Sequence, residues 1–222
     1  MKERTNNISR REVSALVKKS LIDQLSKKGI KDKRVLDALF EIPRDRFTEE
    51  EFIHLAYKDQ ALPIGYEQTI SQPYVVAYMT QALLAGRNVK SVLEIGTGSG
   101  YQAAILANLV PRVFTIERID ALYRKSKQLL KELGYYNINF RCADGCKGWK
   151  EFAPYDAIIV TAANQEVPSI LLDQLVVGGK MAIPLEDVNG NQKMTILTRK
   201  EEGYAERTLG LVKFVPLIKE QA

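Results

Sequence analysis

Two short stretches hold residues whose type and spacing can do chemistry. The first is VLEIGTGSGYQAA (92–104), where Gly96, Gly98 and Gly100 fall at i, i+2 and i+4 with Thr97 and Ser99 between them. Glycines there let the backbone turn tightly against a ligand, and the N–H groups of a helix start point into the same space. A dinucleotide fingerprint needs its third small residue at i+5, where Tyr101 stands, and no Lys-Ser/Thr pair follows to make a phosphate loop. Acids complete the pattern. Glu117 stands 21 residues after Gly96, where a carboxylate can accept from both hydroxyls of a ribose. Asp144-Gly145 closes the next β-rich run within reach of a purine edge, and Glu94 is suited to hold an ammonium or order water around it. Any one of these acids reads as a solvated strand end; together, at successive strand ends, they read as a site. A ribose, a base and an amino-acid tail without a phosphate cradle describe S-adenosyl-L-methionine better than NAD.

The second stretch is GYEQTISQPY (65–74), a polar bend between the apolar runs ALPI and VVAYM. Ser71 or Gln72 can cap the helix that follows, with Pro73 in its first turn, where a missing N–H does no harm. Helix-start N–H groups together with the hydroxyls of Thr69 and Ser71 make a compact anion site. Ser71 alone could be a mere cap, but a cap needs one residue and the polar bend around it needs another reason. No general base stands out in the sequence, and an amine, hydroxyl or ring carbon would usually need one. A carboxylate, with a pKa near ~3.5 to 4, is already ionised at neutral pH. Its attack on a sulfonium methyl requires placement only, and orientation can be worth roughly 7–11 kcal/mol.

The remaining pattern must position these two stretches. Val13, Leu16, Val17, Leu21, Ile22 and Leu25 predict a helix over 9–28, and Val35, Leu36, Leu39 and Phe40 a shorter one stopped by Pro43. A turn or two is expected at 48–57, and a helix from residue 72 that stops at Gly86. SVLEIG (91–96), RVFTIE (112–117), INFRCAD (138–144) and YDAIIVT (155–161) then alternate with helical segments at 100–109, 119–133 and 166–176. That alternation predicts an α/β fold with a doubly wound, mostly parallel, Rossmann-like sheet. KMAIPL, KMTILTR and LGLVKFVPLI have no long helix between the last two, so the sheet should finish in an antiparallel pair. One domain is expected over 1–222. Residues 1–85 would supply the N-terminal helices and a cover for substrate and cofactor, and 86–222 the cofactor-binding core.

Composition excludes several classes. With 45% hydrophobic and 27% charged residues the protein reads as soluble and globular, and no apolar run approaches the ~20 residues of a membrane span. The N-terminus has no apolar segment to act as a secretory signal, and two cysteines make no disulfide framework, so a cytoplasmic protein is expected. Residues 1–46 carry 13 Lys/Arg against 7 Asp/Glu, a balance of +6 in a protein of net +5. That excess is read as a solvated helix face in preference to a nucleic-acid surface. Cys142 and Cys146 read as structural thiols, and with His54 as the only histidine no metal is expected.

LPIGYEQTISQPYVVAYMTQALL, VLEIGTGSGYQAAILA, IERIDAL, ADG, PYDAIIVTAA, GG and the terminal KFVPLI together resemble the protein-L-isoaspartate (D-aspartate) O-methyltransferase family, from about residue 9 to about 218. The resemblance implies methylation of the α-carboxyl freed when Asn deamidates or Asp isomerises, after which the ester closes to a succinimide. By matching position, Ser71 is the family's active-site serine, with Thr69 and Ile70 bordering cofactor and substrate and Gln72 beside them. Glu94, Gly96, Thr97, Gly98, Ser99, Gly100, Glu117, Asp144 and Gly145 would hold the cofactor. Glu67 departs from the family's small residue, and an extra anion there could weaken carboxylate binding unless it points outward. Residues 1–8 match nothing and are expected to be disordered. The partners implied are isoaspartyl-containing proteins and peptides, with no nucleic acid and no membrane, and the protein is expected to be a monomer. One rival reading is an RNA or small-molecule methyltransferase using the basic N-terminus, which the missing Pro-Pro-aromatic motif at IVTAANQ (159–165) disfavours. A non-catalytic binder of damaged sites is another.

Overall fold

The computed structural model describes residues 10–218, with side chains from residue 15. It opens with α1 (Arg10–Lys27) and α2 (Lys33–Glu41), followed by short 3-10 turns at Arg44–Phe47 and Glu50–Leu55. A hairpin of β1 (Leu62–Pro63) and β2 (Thr69–Ile70) leads into α3 (Pro73–Leu84). The core alternates β3 (Ser91–Ile95), α4 (Tyr101–Leu109), β4 (Arg112–Glu117), α5 (Asp120–Glu132) and β5 (Ile138–Cys142). It continues through β6 (Tyr155–Val160), α6 (Ser169–Asp173), β7 (Leu175–Glu186), β8 (Gln192–Arg199) and β9 (Tyr204–Val212). Residues 1–8, expected to be disordered, lie outside the described residues.

The seven-stranded sheet has the order β5-β4-β3-β6-β7-β8-β9. Strands β3 to β7 run parallel, whereas β8 and β9 are antiparallel to their neighbours. The backbone builds outward from β3 to β5, then returns to β6 on the other side of β3, so a crevice opens at the carboxyl ends of β3 and β6. Burial on both faces explains the near-continuous apolar runs of the central strands. Val92, Val113, Ala157 and Ile159 pack under the N-terminal helices and under Leu122 and Leu130 of α5. Leu93, Phe114, Ile116, Ile158 and Val160 meet Leu171 of α6 and the Trp149 region on the other face.

Three elements differ from the sequence reading. The helical segment expected at 166–176 shrinks to Ser169–Asp173, because Leu175 is already paired with Tyr155 at the start of the β6–β7 ladder. β9 begins at Tyr204, within a polar stretch, and the apolar run 213–218 leaves the sheet. Among the described side chains of α1, the buried stripe starts at Leu21 and Leu25, while Leu16 and Val17 face solvent; Val13 lies outside the side chains described.

Candidate active site

A cavity of about 690 Å³ opens at the carboxyl ends of the parallel strands. Its floor is the turn after β3, and one side is Glu117 and Arg118 at the end of β4. Opposite lie Thr69 to Gln72 and the first turns of α3, and the tail 209–218 forms a further wall. Of the residues expected at the site, Thr69, Ile70, Ser71, Gln72, Gly96, Thr97, Gly98, Ser99, Glu117 and Gly145 line this cavity together. Glu94, Gly100 and Asp144 do not.

The cofactor half of the site is built locally. Gly96 has φ +94, and a Cβ on it would lie 2.4 Å from Thr161 Oγ1, so only glycine fits. Thr161 donates from that hydroxyl to the carbonyls of Ile95 and Gly96, at 3.0 and 2.8 Å, and fixes the turn from β6. Glu117 accepts the Gly98 N–H on one oxygen at 2.8 Å and the Ile119 N–H on the other at 2.9 Å. Its carboxylate is thereby aimed along the cavity edge with a lone pair on each oxygen to spare.

Glu94 sits beneath the turn. Its Oε2 bonds the Thr115 hydroxyl, which pairs in turn with Thr97 Oγ1 at 2.6 Å. Its Oε1 has no partner among the described residues. Full burial pushes its pKa up to about 8; the Thr115 hydrogen bond opposes that rise and the nearby Glu117 charge adds to it. Of these three linked residues only Thr97 lines the cavity, and Glu94 supports the turn from behind. Asp144 spends Oδ1 on the Cys146 N–H at 2.8 Å, which brings Gly145 to the cavity wall. Gly100 starts α4 and faces Ser126 and Leu130.

The acceptor half is positioned from a distance. Neither Ser71 nor Gln72 caps α3 through its side group; the Tyr74 N–H is accepted by Asp59 Oδ1 at 2.8 Å. Asp59 Oδ2 pairs with Lys28, just past the end of α1, at 2.6 Å, and Gln72 Nε2 donates to the Asp59 carbonyl at 2.9 Å. The capping expectation is therefore corrected: a buried carboxylate from another segment does that work. The Ser71 hydroxyl takes part in no hydrogen bond among the described residues and is left to face the cavity.

Beneath the bend lies Arg44, wholly buried. Nε donates to Ala56 O at 2.9 Å, and Nη2 to Gln60 O at 3.3 Å and Ser71 O at 2.9 Å. Its guanidinium stands 4.8 Å from the centre of the Tyr101 ring, at the start of α4. Burial lowers its pKa and the Tyr101 contact opposes that drop. Arg44 thus ties the acceptor bend to the glycine turn. Glu67 occupies the tip of the β1–β2 hairpin with φ +57, exposed and outside the cavity lining, so its charge points away.

Sequence reasoning misses Arg44, Asp59 and the tail 209–218. Local rules see a cap only next to its helix, and nothing in PRDRF distinguishes a buried arginine from its solvated neighbours. Among the described residues no three His, Cys, Asp or Glu side groups cluster as a metal ion would require. No helix there is long and apolar enough to cross a membrane.

Comparison with known proteins decides the family. The family model described as protein-L-isoaspartate(D-aspartate) O-methyltransferase matches residues 16–222. The chain belongs to this family. Its curated relatives include protein-L-isoaspartate O-methyltransferase 1 of Nitrosococcus oceani, 50% identical over 200 residues, spanning 90% of this protein and 94% of that one. The namesake from Dictyoglomus turgidum is 52% identical over 200 residues, 90% of each protein. A Plasmodium falciparum structure assigned to the same activity, in complex with S-adenosyl-L-homocysteine, superposes with a TM-score of 0.80 at 28% identity over 91% of this protein and 98% of its own length. A solved protein-L-isoaspartate O-methyltransferase gives 0.81 at 29% identity, spanning 90% of this protein and 65% of that one.

Proposed function

We propose that this protein transfers the methyl group of S-adenosyl-L-methionine to the free α-carboxylate of L-isoaspartyl residues in damaged proteins and peptides. The observation that carries the reading is the pairing, in one cavity, of a ribose-ready carboxylate at Glu117 with an uncommitted hydroxyl at Ser71. Histidine, cysteine and aspartate are absent from the described lining, and Glu117 already accepts two N–H groups. An acceptor that is ionised from the start needs no base.

The residues present fit the cofactor. Glu117 has one lone pair per oxygen for the ribose hydroxyls, the Gly96 turn approaches without a Cβ, and no Lys-Ser/Thr pair follows the glycine turn to cradle a phosphate. When bound, S-adenosyl-L-methionine supplies a methyl group activated on a sulfonium. The rest falls to the protein. Ser71 orients the acceptor carboxylate, with Thr69, Ile70 and Gln72 around it; Thr97, Ser99 and Gly98 hold the floor, and Glu94 and Asp144 brace it from behind. Apolar walls such as Val76 and Met79 exclude water, which favours a step in which opposite charges combine.

The protein would act as one domain and as a monomer, with 1–85 covering and 86–222 holding the cofactor, and with no nucleic acid or membrane as partner. The test is radiolabelled methyl transfer to isoaspartyl and normal aspartyl versions of one peptide. Base-labile label on the first alone is expected; equal label on both, or none on either, would refute the reading.

A further inference from the structure

The burial of Glu94 takes away the ammonium partner that the sequence offered. Its carboxyl is wholly buried, bonds Thr115 and stands outside the cavity lining, so a charged amine in the cavity cannot touch it. The amino-acid end of the cofactor needs an acceptor elsewhere. With the ribose at Glu117 and the sulfonium methyl before Ser71, that end lies on the Ser71 side, among the turns of α3 and α4 that line the cavity.

Gln102 stands there, on the first turn of α4, 8% exposed and part of the cavity lining. Its partners fix which way its amide points. The Val76 carbonyl can only accept, so the Thr80 hydroxyl gives it its proton, at 2.7 Å. The Thr80 oxygen is left as an acceptor, and Gln102 Nε2 donates to it at 3.0 Å. Gln102 Oε1 is therefore turned from Thr80, and no N–H or O–H group among the described residues donates to it. Unlike Glu94 Oε1 it is not sealed in the core. Its free lone pairs are offered to the cavity.

We propose that Gln102 Oε1 accepts a hydrogen bond from the α-ammonium at the amino-acid end of the cofactor, and so holds the sulfonium in place before Ser71. This rests on the methyltransferase reading above for the direction in which the cofactor lies. Other polar groups of the lining have their own tasks: Glu117 faces the ribose, Thr97 pairs with Thr115, and Thr161 holds the glycine turn. Thr80 is wholly buried, so the amide is set before a ligand arrives, which lowers the entropy cost of binding. A neutral acceptor also suits its place. The amino-acid end carries a carboxylate next to its ammonium, and the acceptor peptide brings another, so a third anion there would repel both.

The test is calorimetry on the full protein with three nucleosides. S-adenosyl-L-homocysteine carries the whole amino-acid end, decarboxylated S-adenosylmethionine keeps the ammonium without the carboxylate, and 5′-methylthioadenosine has neither. Gln102→Met keeps the length of the side group without its amide. It should weaken the first two ligands about 10–100-fold, the loss expected for a hydrogen bond to a charged group. The third should bind within about twofold of wild type, which also shows that the variant is folded. Gln102→Glu keeps an acceptor for an ammonium, so decarboxylated S-adenosylmethionine should bind it no worse than wild type.

Equal weakening of all three ligands in both variants would reduce Gln102 to a support of the glycine turn and overturn the inference. So would a loss confined to S-adenosyl-L-homocysteine, which would make the carboxylate the partner. Unchanged binding of all three, with a raised KM for an isoaspartyl peptide, would assign the amide to the peptide and overturn it too. Wild-type protein that bound none of the three would overturn the proposed function instead.

Discussion

Glu117 takes its two amide donors from Gly98 and Ile119, at the neighbouring strand end and two residues on, whereas the Ser71 backbone is fixed by Arg44, 27 residues upstream. The two sides of one cavity are thus held by different means. The cofactor side is a by-product of the parallel sheet, whose strand ends place the glycine turn and the acid together. The acceptor side is a short polar bend that would have many conformations if left alone. Arg44, Asp59 and Lys28 hold it in one, by hydrogen bonds and an ion pair drawn from three separate segments. Damage to the first side should therefore be confined to cofactor binding, and damage to the second should spread into stability.

The largest effect is expected at Arg44. Arg44→Met strands the carbonyls of Ala56, Gln60 and Ser71, and at roughly 1–3 kcal/mol for each buried group left unpaired the fold should lose about 3–5 kcal/mol. Urea unfolding measures this, and a variant of native stability would show that the bend does not depend on the buried cation. Glu94 comes next. Its carboxyl keeps a proton up to about 8 in the folded protein but loses it near 4.5 when unfolded. The folded state then binds more protons between those values, so stability falls as pH rises through the window, by on the order of a few kcal/mol. Glu94→Gln should flatten the fall in urea midpoints across that range; an unchanged slope would contradict the assignment.

A paired measurement separates the two sides directly. Glu117→Ala should weaken cofactor binding about 10–100-fold by calorimetry, as the loss of hydrogen bonds to a charged acceptor worth roughly 1.5–3 kcal/mol implies. Ser71→Ala should leave that affinity alone and lower kcat/KM for an isoaspartyl peptide about tenfold, or ~1.4 kcal/mol. If each variant moved both quantities equally, the division between the sides would be wrong. The smallest effect is expected at Glu67. An exposed residue at the hairpin tip, turned from the cavity, should change stability and kcat/KM by no more than ~0.5 kcal/mol when replaced by alanine.

The same contrast explains what is legible in the sequence. Alternating strands and helices, the glycine turn and Glu117 are local patterns, and each lies where its spacing places it. Ser71 is legible because hydroxyls ahead of a proline-started helix are a local signal too. The true cap of α3 is not, because Asp59 reaches it from 15 residues upstream of Tyr74. Arg44 is invisible because burial of a charge depends on carbonyls brought together only by the tertiary fold. The start of β9 is hidden because an edge strand with mostly exposed residues shows little apolar alternation. Its apolar continuation, 213–218, has that character because it walls the cavity, and Leu217 pairs back onto Ala163.

If Ser71 places a carboxylate that is already ionised, no protein group takes up a proton in the methyl transfer. The pH dependence of kcat for an isoaspartyl peptide, at saturating cofactor, tests this most directly. A rate level from neutrality down towards the acceptor's own pKa, about 3.5–4, is predicted. A one-proton fall centred near neutrality, as a residue acting as general base would give, would contradict it.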